Sequence, residues 1–336
     1  MPHQPRPGGA GGFACQLCPA RVRRGSGLER LRLRAHLYCL EAMNCLLGRA
    51  DAAARIVALV LVATEVAWAA GPELDQARKY YDSTDFAKSL QVLQAIPAKD
   101  GAVYELMGRN YYMQAEYTKA SEALEKAVAA DPSNSEHELW LARAYGRWAE
   151  RSGPFTAPSR ALKARQHFEK SVEINPRNIE ALKDLFEYYV EAPGFLGGSF
   201  QKAAAAAGRI AALNAADGHW AQARLAEEKK EYHAAEEHLQ RAVESAPQEA
   251  GRLIDLAQFL AGQGRFQEAE RSFARAEAIA PGSAEVLYAR ADTYIKFHKN
   301  NELAKELLRR YLTLKLTVDD PPRSDAEKLL RQAQGG

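Results

Sequence analysis

Three cysteines and one histidine near the amino terminus have the spacing of metal ligands. Cys15 and Cys18 form one close pair, and His36 and Cys39 form a second. Structural zinc sites use two such pairs, because four nitrogen or sulfur ligands must converge on one ion. The surrounding segment, residues 1–42, is rich in arginine and contains no lysine. We expect this segment to be a non-native or disordered leader, and a zinc site is the alternative.

No other group of residues predicts catalysis or a bound cofactor. His233 and His238 lie five residues apart, and five residues turn a helix through about 500°, so their imidazoles diverge. The glycine-rich stretches lack the Lys-Ser or Lys-Thr pair of a phosphate-binding loop, and no serine stands in a G-x-S-x-G context. All four cysteines precede residue 46, so the rest of the chain has no thiol. The sequence therefore predicts a protein that is not an enzyme and uses no cofactor.

The composition favours a chain with a protein partner over one that binds nucleic acid. The 336 residues include 45 Lys and Arg against 43 Asp and Glu, a net charge of +2. Nucleic-acid-binding domains instead carry a clustered basic excess. The length fits two domains or an elongated repeat array. No uninterrupted apolar run reaches the roughly 18 residues of a membrane span.

Residues 43–69 have the features of a secretory signal. Arg49 and Arg55 precede an unbroken apolar run at 56–63, and an A-x-A cleavage pattern ends at Ala69. We expect cleavage there and export, into the periplasm. The alternative is an uncleaved segment, which would either anchor the chain in a membrane or pack on the next helix of a cytoplasmic protein.

Small, aromatic, alanine and proline positions recur along the rest of the chain. One set consists of Gly108, Tyr111, Ala120, Leu124, Ala127 and Pro132. The same spacing returns in Ala257, Leu260, Ala269, Phe273, Ala276 and Pro281. Ala235 and Ala269 are 34 residues apart, as are Pro247 and Pro281. A period of 34 residues predicts stacked pairs of antiparallel helices, in which small residues permit close approach and proline follows the second helix.

This pattern resembles the tetratricopeptide repeat family, and the resemblance covers residues 72 to about 316. It implies an all-α fold, a right-handed superhelix or α-solenoid of about seven helix pairs within residues 70–318. A linker and a capping helix would follow at 319–336. In such an array the first helices line a concave face, which is where partners bind.

Two insertions lie between the helices of the third and fourth predicted pairs, at 153–158 and 193–198. They lengthen these pairs by ten and six residues. We expect Phe155, Phe195 and Leu196 to act as apolar plugs through which the two loops pack together. The A-P-G-x-x-G-G loop resembles that of exported bacterial tetratricopeptide repeat proteins. One such group is the periplasmic component of certain solute transporters.

The phase of the repeat places four arginines and several aromatic rings on the predicted concave face. These residues are Arg109, Tyr112, Arg143, Arg147, Phe186, Tyr189, Trp220, Arg224 and Tyr288. Arginine can hold a carboxylate through two hydrogen bonds, and aromatic rings bury large apolar areas. The leading hypothesis is a non-enzymatic, exported scaffold that binds a protein or peptide partner on this face.

Two other hypotheses remain open from the sequence. The chain could be a transporter-associated periplasmic protein that handles a small solute, or a subunit that stacks through its own ends. For the leading hypothesis, Arg143 and Arg224 occupy corresponding positions in the third and fifth first helices. We therefore expect both to contact an acidic ligand, and Arg252 to lie outside the site.

Overall fold

The computed structural model describes residues 71–335, and the predictions for the leader, the cysteines and the secretory signal lie outside this range. Within it, fifteen α-helices and one short 3₁₀ helix are joined by turns, without a strand. The helices are α1 (Gly71–Asp82), α2 (Phe86–Ala95), α3 (Gly101–Met113), α4 (Tyr117–Ala130), α5 (Ser135–Glu150), α6 (Ala157–Ile174), α7 (Ile179–Glu191), α8 (Phe200–Leu213), α9 (Ala215–Glu228), α10 (Tyr232–Ser245), α11 (Ala250–Gly262), α12 (Phe266–Ile279), α13 (Ala284–Lys296), α14 (Asn301–Thr313) and α15 (Arg323–Gly335). None of these helices is both long and apolar enough to cross a bilayer.

Consecutive helices pack as seven pairs, from α1 with α2 to α13 with α14. The last helix, α15, packs on α14, and its Ala326 shares a core with Tyr311 and Leu316. It therefore covers the apolar end of the stack. The predicted fold class, an α-solenoid of about seven helix pairs with a capping helix, is confirmed.

Polar residues begin most of the first helices. The side chains of Asp100, Asn134, Asn178, Asn214 and Ser283 each accept a hydrogen bond from a backbone amide in the first turn that follows. The first amides of a helix have no partner within the helix, so such a cap stabilises the start of each pair.

Small side chains lie where the two helices of a pair come closest. A Cβ atom added to Gly108 would overlap Leu124 Cγ and lie 2.9 Å from its Cδ2. Ala120 and Ala269, which open second helices, are almost completely buried. The sequence argument for these positions is therefore confirmed: larger side chains there would push the helices apart.

The insertion in the third pair is mostly absorbed into longer helices. The helix α5 has 16 residues against 13 in α3, and α6 has 18 against 14 in α4. Only the turn at 151–156 separates the two long helices. The third pair therefore extends further than its neighbours at the end where the turn at 151–156 joins its two helices.

The insertion in the fourth pair remains a loop. It contains the 3₁₀ helix Gly194–Leu196, which contacts α6 of the preceding pair. The Tyr188 hydroxyl donates to the Leu196 carbonyl at 2.9 Å. Gly197 has a φ of +92°, and a Cβ on Gly198 would overlap the Ala192 carbonyl oxygen, so both positions require glycine.

The predicted apolar plugs are wrong for both phenylalanines. Phe155 is 98% exposed and Phe195 is 78% exposed, whereas Leu196 is half-buried. Because the insertion in the third pair became helix, no second loop is available to cover Phe195. The loop of the fourth pair instead rests on α6, where Arg165 reaches the Leu196 carbonyl at 3.5 Å.

The close approach at Gly108 can be tested with two alanine variants. Replacing Gly108 by Ala should destabilise the fold by about 1–3 kcal/mol, because fully buried Leu124 has no space to move into. Gly208 lies in α8 and faces no atom within 4 Å, so Gly208→Ala should stabilise by up to about 1 kcal/mol. Denaturant unfolding of both variants measures the difference. Equal stability changes would contradict the proposed contact.

Candidate functional site

The first helices of neighbouring pairs contact one another more closely than the second helices do. The first helices therefore form the inner side of the solenoid, and we call this surface the inner face. Its side chains include those that directly follow the position of Gly108 in each pair. In the second to fifth pairs these are Arg109, Arg143, Glu187 and Arg224.

A cavity of about 560 Å³ opens on the inner face of the second and third pairs. Arg143, Arg147 and Arg151 line it from α5 and the residue that follows this helix, and Arg109 lines it from α3. Residues four apart lie on one side of a helix, so the three arginines form a stripe. We call this space the Arg cavity.

Aromatic rings hold several of these guanidinium groups. The guanidinium groups of Arg109 and Arg143 lie 4.5 Å and 5.0 Å from the centroid of the Trp140 ring. Arg151 lies 4.9 Å from the centroid of Tyr117. Tyr112 packs edge-on against Trp140, and burial raises the pKa of Tyr112 to about 12. Cation–π contacts of this kind orient arginine without neutralising its charge.

The two deeper arginines of the Arg cavity already have acidic partners. Arg109 Nη1 lies 3.3 Å from Glu105 Oε1. Arg143 Nε donates to Asp184 Oδ2 at 2.5 Å, and its Nη2 lies 3.5 Å from Glu180. Burial raises the pKa of Asp184, although Arg143 opposes this rise. Arg143 therefore joins α5 to α7, whereas the Arg109–Glu105 pair lies within α3.

Positive charge without such compensation remains at the other end of the stripe. Among the residues that the structure describes, Glu150 is the only one whose carboxylate lies within 4 Å of Arg147, and both side chains are exposed. Exposed pairs of this kind stabilise little, so either partner can be exchanged. Within residues 71–335, no carboxylate lies within 4 Å of Arg151. Arg147 and Arg151 are thus the arginines of this cavity that a ligand can use.

The segment before α15 forms the opposite wall of the Arg cavity. Val318 and Asp319 line the cavity, and Val318 packs against the core of the first pair, which contains Tyr81. A smaller cavity of about 200 Å³ lies where Phe86 meets Pro321. The end of the array therefore returns to its beginning, and the two ends together shape the cavity.

Arg224, which the sequence predicted to contact an acidic ligand, is surrounded by carboxylates of the protein itself. It corresponds in position to Arg143, but its Nε and Nη2 atoms each lie 3.2 Å from a Glu187 carboxylate oxygen. Glu227 and Glu191 lie 3.8 Å and 4.0 Å from the same guanidinium. Burial, together with neighbouring carboxylates, raises the pKa of both Glu191 and Glu227. An acidic ligand would be repelled here.

Phe186 and Tyr189 are not on the inner face, which corrects the sequence prediction. Phe186 is fully buried against Trp220, with 5.6 Å between ring centroids, and Tyr189 is also buried. Phe186 occupies the position of Gly108 in the second pair, so the residue that reaches the inner face is Glu187. The predicted inner-face positions of this pair were shifted by one residue, because the pair lacks the small residue that marks the helix contact elsewhere.

Trp220 and Tyr288 are both half-buried, and Trp220 lines a second cavity. Tyr288 packs against Tyr311, with 5.4 Å between ring centroids. The cavity at Trp220 has a volume of about 380 Å³ and lies between the fifth, sixth and seventh pairs. Phe259 and Phe297 also line it.

Asp255 lines the same space, which we call the Asp255 cavity. Its closest cation is Arg252 Nη1 at 3.7 Å, and no donor between residues 71 and 335 hydrogen-bonds its carboxylate. Burial raises the pKa of Asp255 to about 6, although Arg252 opposes this rise. A carboxylate with a raised pKa in a cavity is typical of functional sites. The sequence argument missed Asp255, although it stands two residues before Ala257, as Asp184 stands two before Phe186.

Within residues 71–335, the fold is an α-solenoid that contains the Arg cavity and the Asp255 cavity. A tetratricopeptide repeat family model matches residues 226–292, which run from the end of α9 into α13. This stretch is therefore similar to tetratricopeptide repeats. No curated protein sequence matches the chain.

Two solved structures of tetratricopeptide repeat proteins are similar to the chain. One, from Parabacteroides merdae ATCC 43184, is 15% identical, with a TM-score of 0.53 over 78% of this chain and 98% of the other. The other, a thermophilic protein of Thermus thermophilus, is 21% identical, with a TM-score of 0.46 over 58% and 99% of the two chains. The first similarity shows the fold alone.

The raised pKa of Asp255 predicts how the stability of the fold changes with pH. In the unfolded chain an aspartate has a pKa of about 3.9, so ionised Asp255 weakens the fold increasingly as pH rises from about 4 to about 6. Asp255→Asn should therefore stabilise by about 1–2 kcal/mol above pH 6 and by little at pH 4. Exposed Asp75 on α1 provides the control, since Asp75→Asn should show no such trend. Chemical unfolding across this pH range measures the effect. If D255N were still more stable than wild type at pH 4 by the same amount, the prediction that ionised Asp255 weakens the fold would be contradicted.

Proposed function

We propose that this protein is a non-enzymatic scaffold that binds an acidic segment of a protein partner in the Arg cavity. Tetratricopeptide repeat arrays generally serve as scaffolds for other proteins, and their curved inner surfaces offer extended binding sites. The observation that carries the proposal is the exposed end of the arginine stripe, where Arg147 and Arg151 flank a cavity with aromatic walls.

The chemistry of the cavity favours carboxylates on the ligand. Arginine presents planar pairs of donors that match a carboxylate, and Trp140 and Tyr117 offer ring surface beside them. The volume of about 560 Å³ accommodates a few side chains of a partner. Asp319 and Asp325 on the far wall limit how much negative charge the cavity accepts at that side.

Charge reversal at the exposed end tests this proposal. The double variant R147E/R151E should lose at least tenfold in partner capture, because attraction for carboxylates becomes repulsion, while its thermal midpoint stays close to wild type. The measurement is a quantitative pull-down with the full chain as bait. The matched control is R271E/R275E, since these arginines are exposed, four residues apart, and lie on the second helix of the sixth pair. Equal capture by both double variants would reject the Arg cavity as the site.

Charge reversal at Arg143, Arg224 or Arg252 is unsuitable for this test. Arg143 is joined to Asp184 of the next pair, and Arg224 to Glu187 of the preceding one. Arg252, which the sequence placed outside the site, is only 13% exposed and its Nη2 lies 2.6 Å from Asp217. Reversing any of these charges would place carboxylates together in partly buried sites and destabilise the fold.

We also propose that the protein acts after export to the periplasm. The support is the apolar run at 56–63, followed by the A-x-A pattern that ends at Ala69. Amino-terminal sequencing of the natively expressed protein should find a start near Ala70 in the exported fraction. Intact Met1 or Met43 in a cytosolic fraction would contradict export.

A further inference from the structure

The charge of the inner face changes sign along the array. At the positions one and five residues after the small residue, the third pair has Arg143 and Arg147. The fourth pair has Glu187 and Glu191 at the corresponding positions, counted from Phe186. A ligand that spans several pairs therefore meets a basic surface first and an acidic surface further along.

Arg224 does not neutralise the acidic surface. Three carboxylates lie within about 4 Å of its guanidinium, those of Glu187, Glu191 and Glu227. Glu227 and Arg224 both line the Asp255 cavity. The lining itself is balanced, with Glu227 and Asp255 against Arg224 and Lys296. The carboxylates of Glu187 and Glu191 beside Arg224 add negative charge next to the cavity, which attracts cations.

The walls of the Asp255 cavity suit a cation with an aliphatic stem. Trp220, Phe259 and Phe297 contribute aromatic rings, whose faces attract cations. Lysine and arginine side chains can pack their methylene groups on such rings while the charged end reaches a carboxylate. Asp255 offers that carboxylate and has no hydrogen-bond donor of its own within residues 71–335.

The one lysine that lines this cavity does not fill that role. Lys296 is exposed, and its ammonium lies 5.6 Å from the centroid of the Phe297 ring. Between residues 71 and 335, no carboxylate lies within 4 Å of this ammonium, so Lys296 does not pair with Asp255, whose nearest cation is Arg252 Nη1 at 3.7 Å. The Phe297 ring therefore already has one ammonium group beside it.

From these contacts we infer that the Asp255 cavity binds a lysine or arginine side chain of the protein segment whose acidic residues occupy the Arg cavity. The inference rests on the proposed function and extends it. The partner segment is bipolar, with carboxylates at one end and a cation at the other. Two subsites of opposite charge also fix the direction in which the segment lies, because a reversed segment meets like charges in both.

Indole NMR signals can report on the two cavities separately. Trp140 lines the Arg cavity and Trp220 lines the Asp255 cavity, and W140F and W220F variants of the ¹⁵N-labelled full chain assign their signals. Acetyl-Lys-Ala-Lys-amide is expected to shift the Trp220 signal saturably and to leave Trp140 unchanged. Acetyl-Glu-Ala-Glu-amide should do the reverse. The same titration with norleucine in place of lysine tests whether charge matters.

Asp255→Asn is the decisive variant. It should weaken binding of the lysine peptide at least fivefold and leave binding of the glutamate peptide unchanged. Asp75→Asn, on an exposed part of α1, should alter neither. If D255N has no effect, or if the norleucine peptide shifts Trp220 as strongly as the lysine peptide, the inference is overturned.

The two proposals fail in distinguishable ways. A shift of Trp140 with the glutamate peptide, but none of Trp220 with the lysine peptide, would leave the proposed function intact and overturn the cation subsite. Loss of the Trp140 response would instead contradict the Arg cavity. Peptides that join the two ends through serine–glycine spacers of increasing length should bind at least tenfold more tightly than either end for some spacer. No gain at any length would contradict a single bipolar ligand.

Discussion

The close approach of two helices at one small residue is the constraint on which the rest of the array depends. In the second pair, Leu124 fills the space that a side chain on Gly108 would need. Because this contact fixes the rotation of the first helix, it also fixes which neighbour projects from the inner face. Arg109 and Arg143 each follow such a residue, so one steric contact positions both the core and the charges of the candidate site.

The same constraint explains how much of the fold the sequence could predict. Wherever glycine or alanine marks the contact, the 34-residue pattern gave the correct register. In the fourth pair the contact position holds Phe186, which packs against Trp220, and the assignment there was one residue out. The insertions were located correctly, but their form was not predictable from glycine and proline content. Most of one insertion became helix and lengthened α5 and α6.

The electrostatics of the inner face lay beyond the sequence argument for a different reason. The partners of its arginines are far away along the chain: Arg143 binds Asp184, 41 residues later, and Arg224 binds Glu187, 37 residues earlier. Equivalent positions in a repeat therefore differ in charge according to what the adjacent repeat supplies. Arg147 and Arg151 are available because the next pair places no carboxylate within 4 Å of them among residues 71–335.

The number of pairs matters for the site as well as for stability. In a solenoid each pair contacts mainly its neighbours, so a shorter array can still fold. The Arg cavity, however, has walls from α3, α5 and the segment around Val318, which joins the first pair only after seven pairs have turned the chain back. Removing one pair would leave the remaining helix contacts possible but would carry Val318 away from Tyr81. The cavity is thus a property of the whole array, and this gives a physical reason for the array to keep its length.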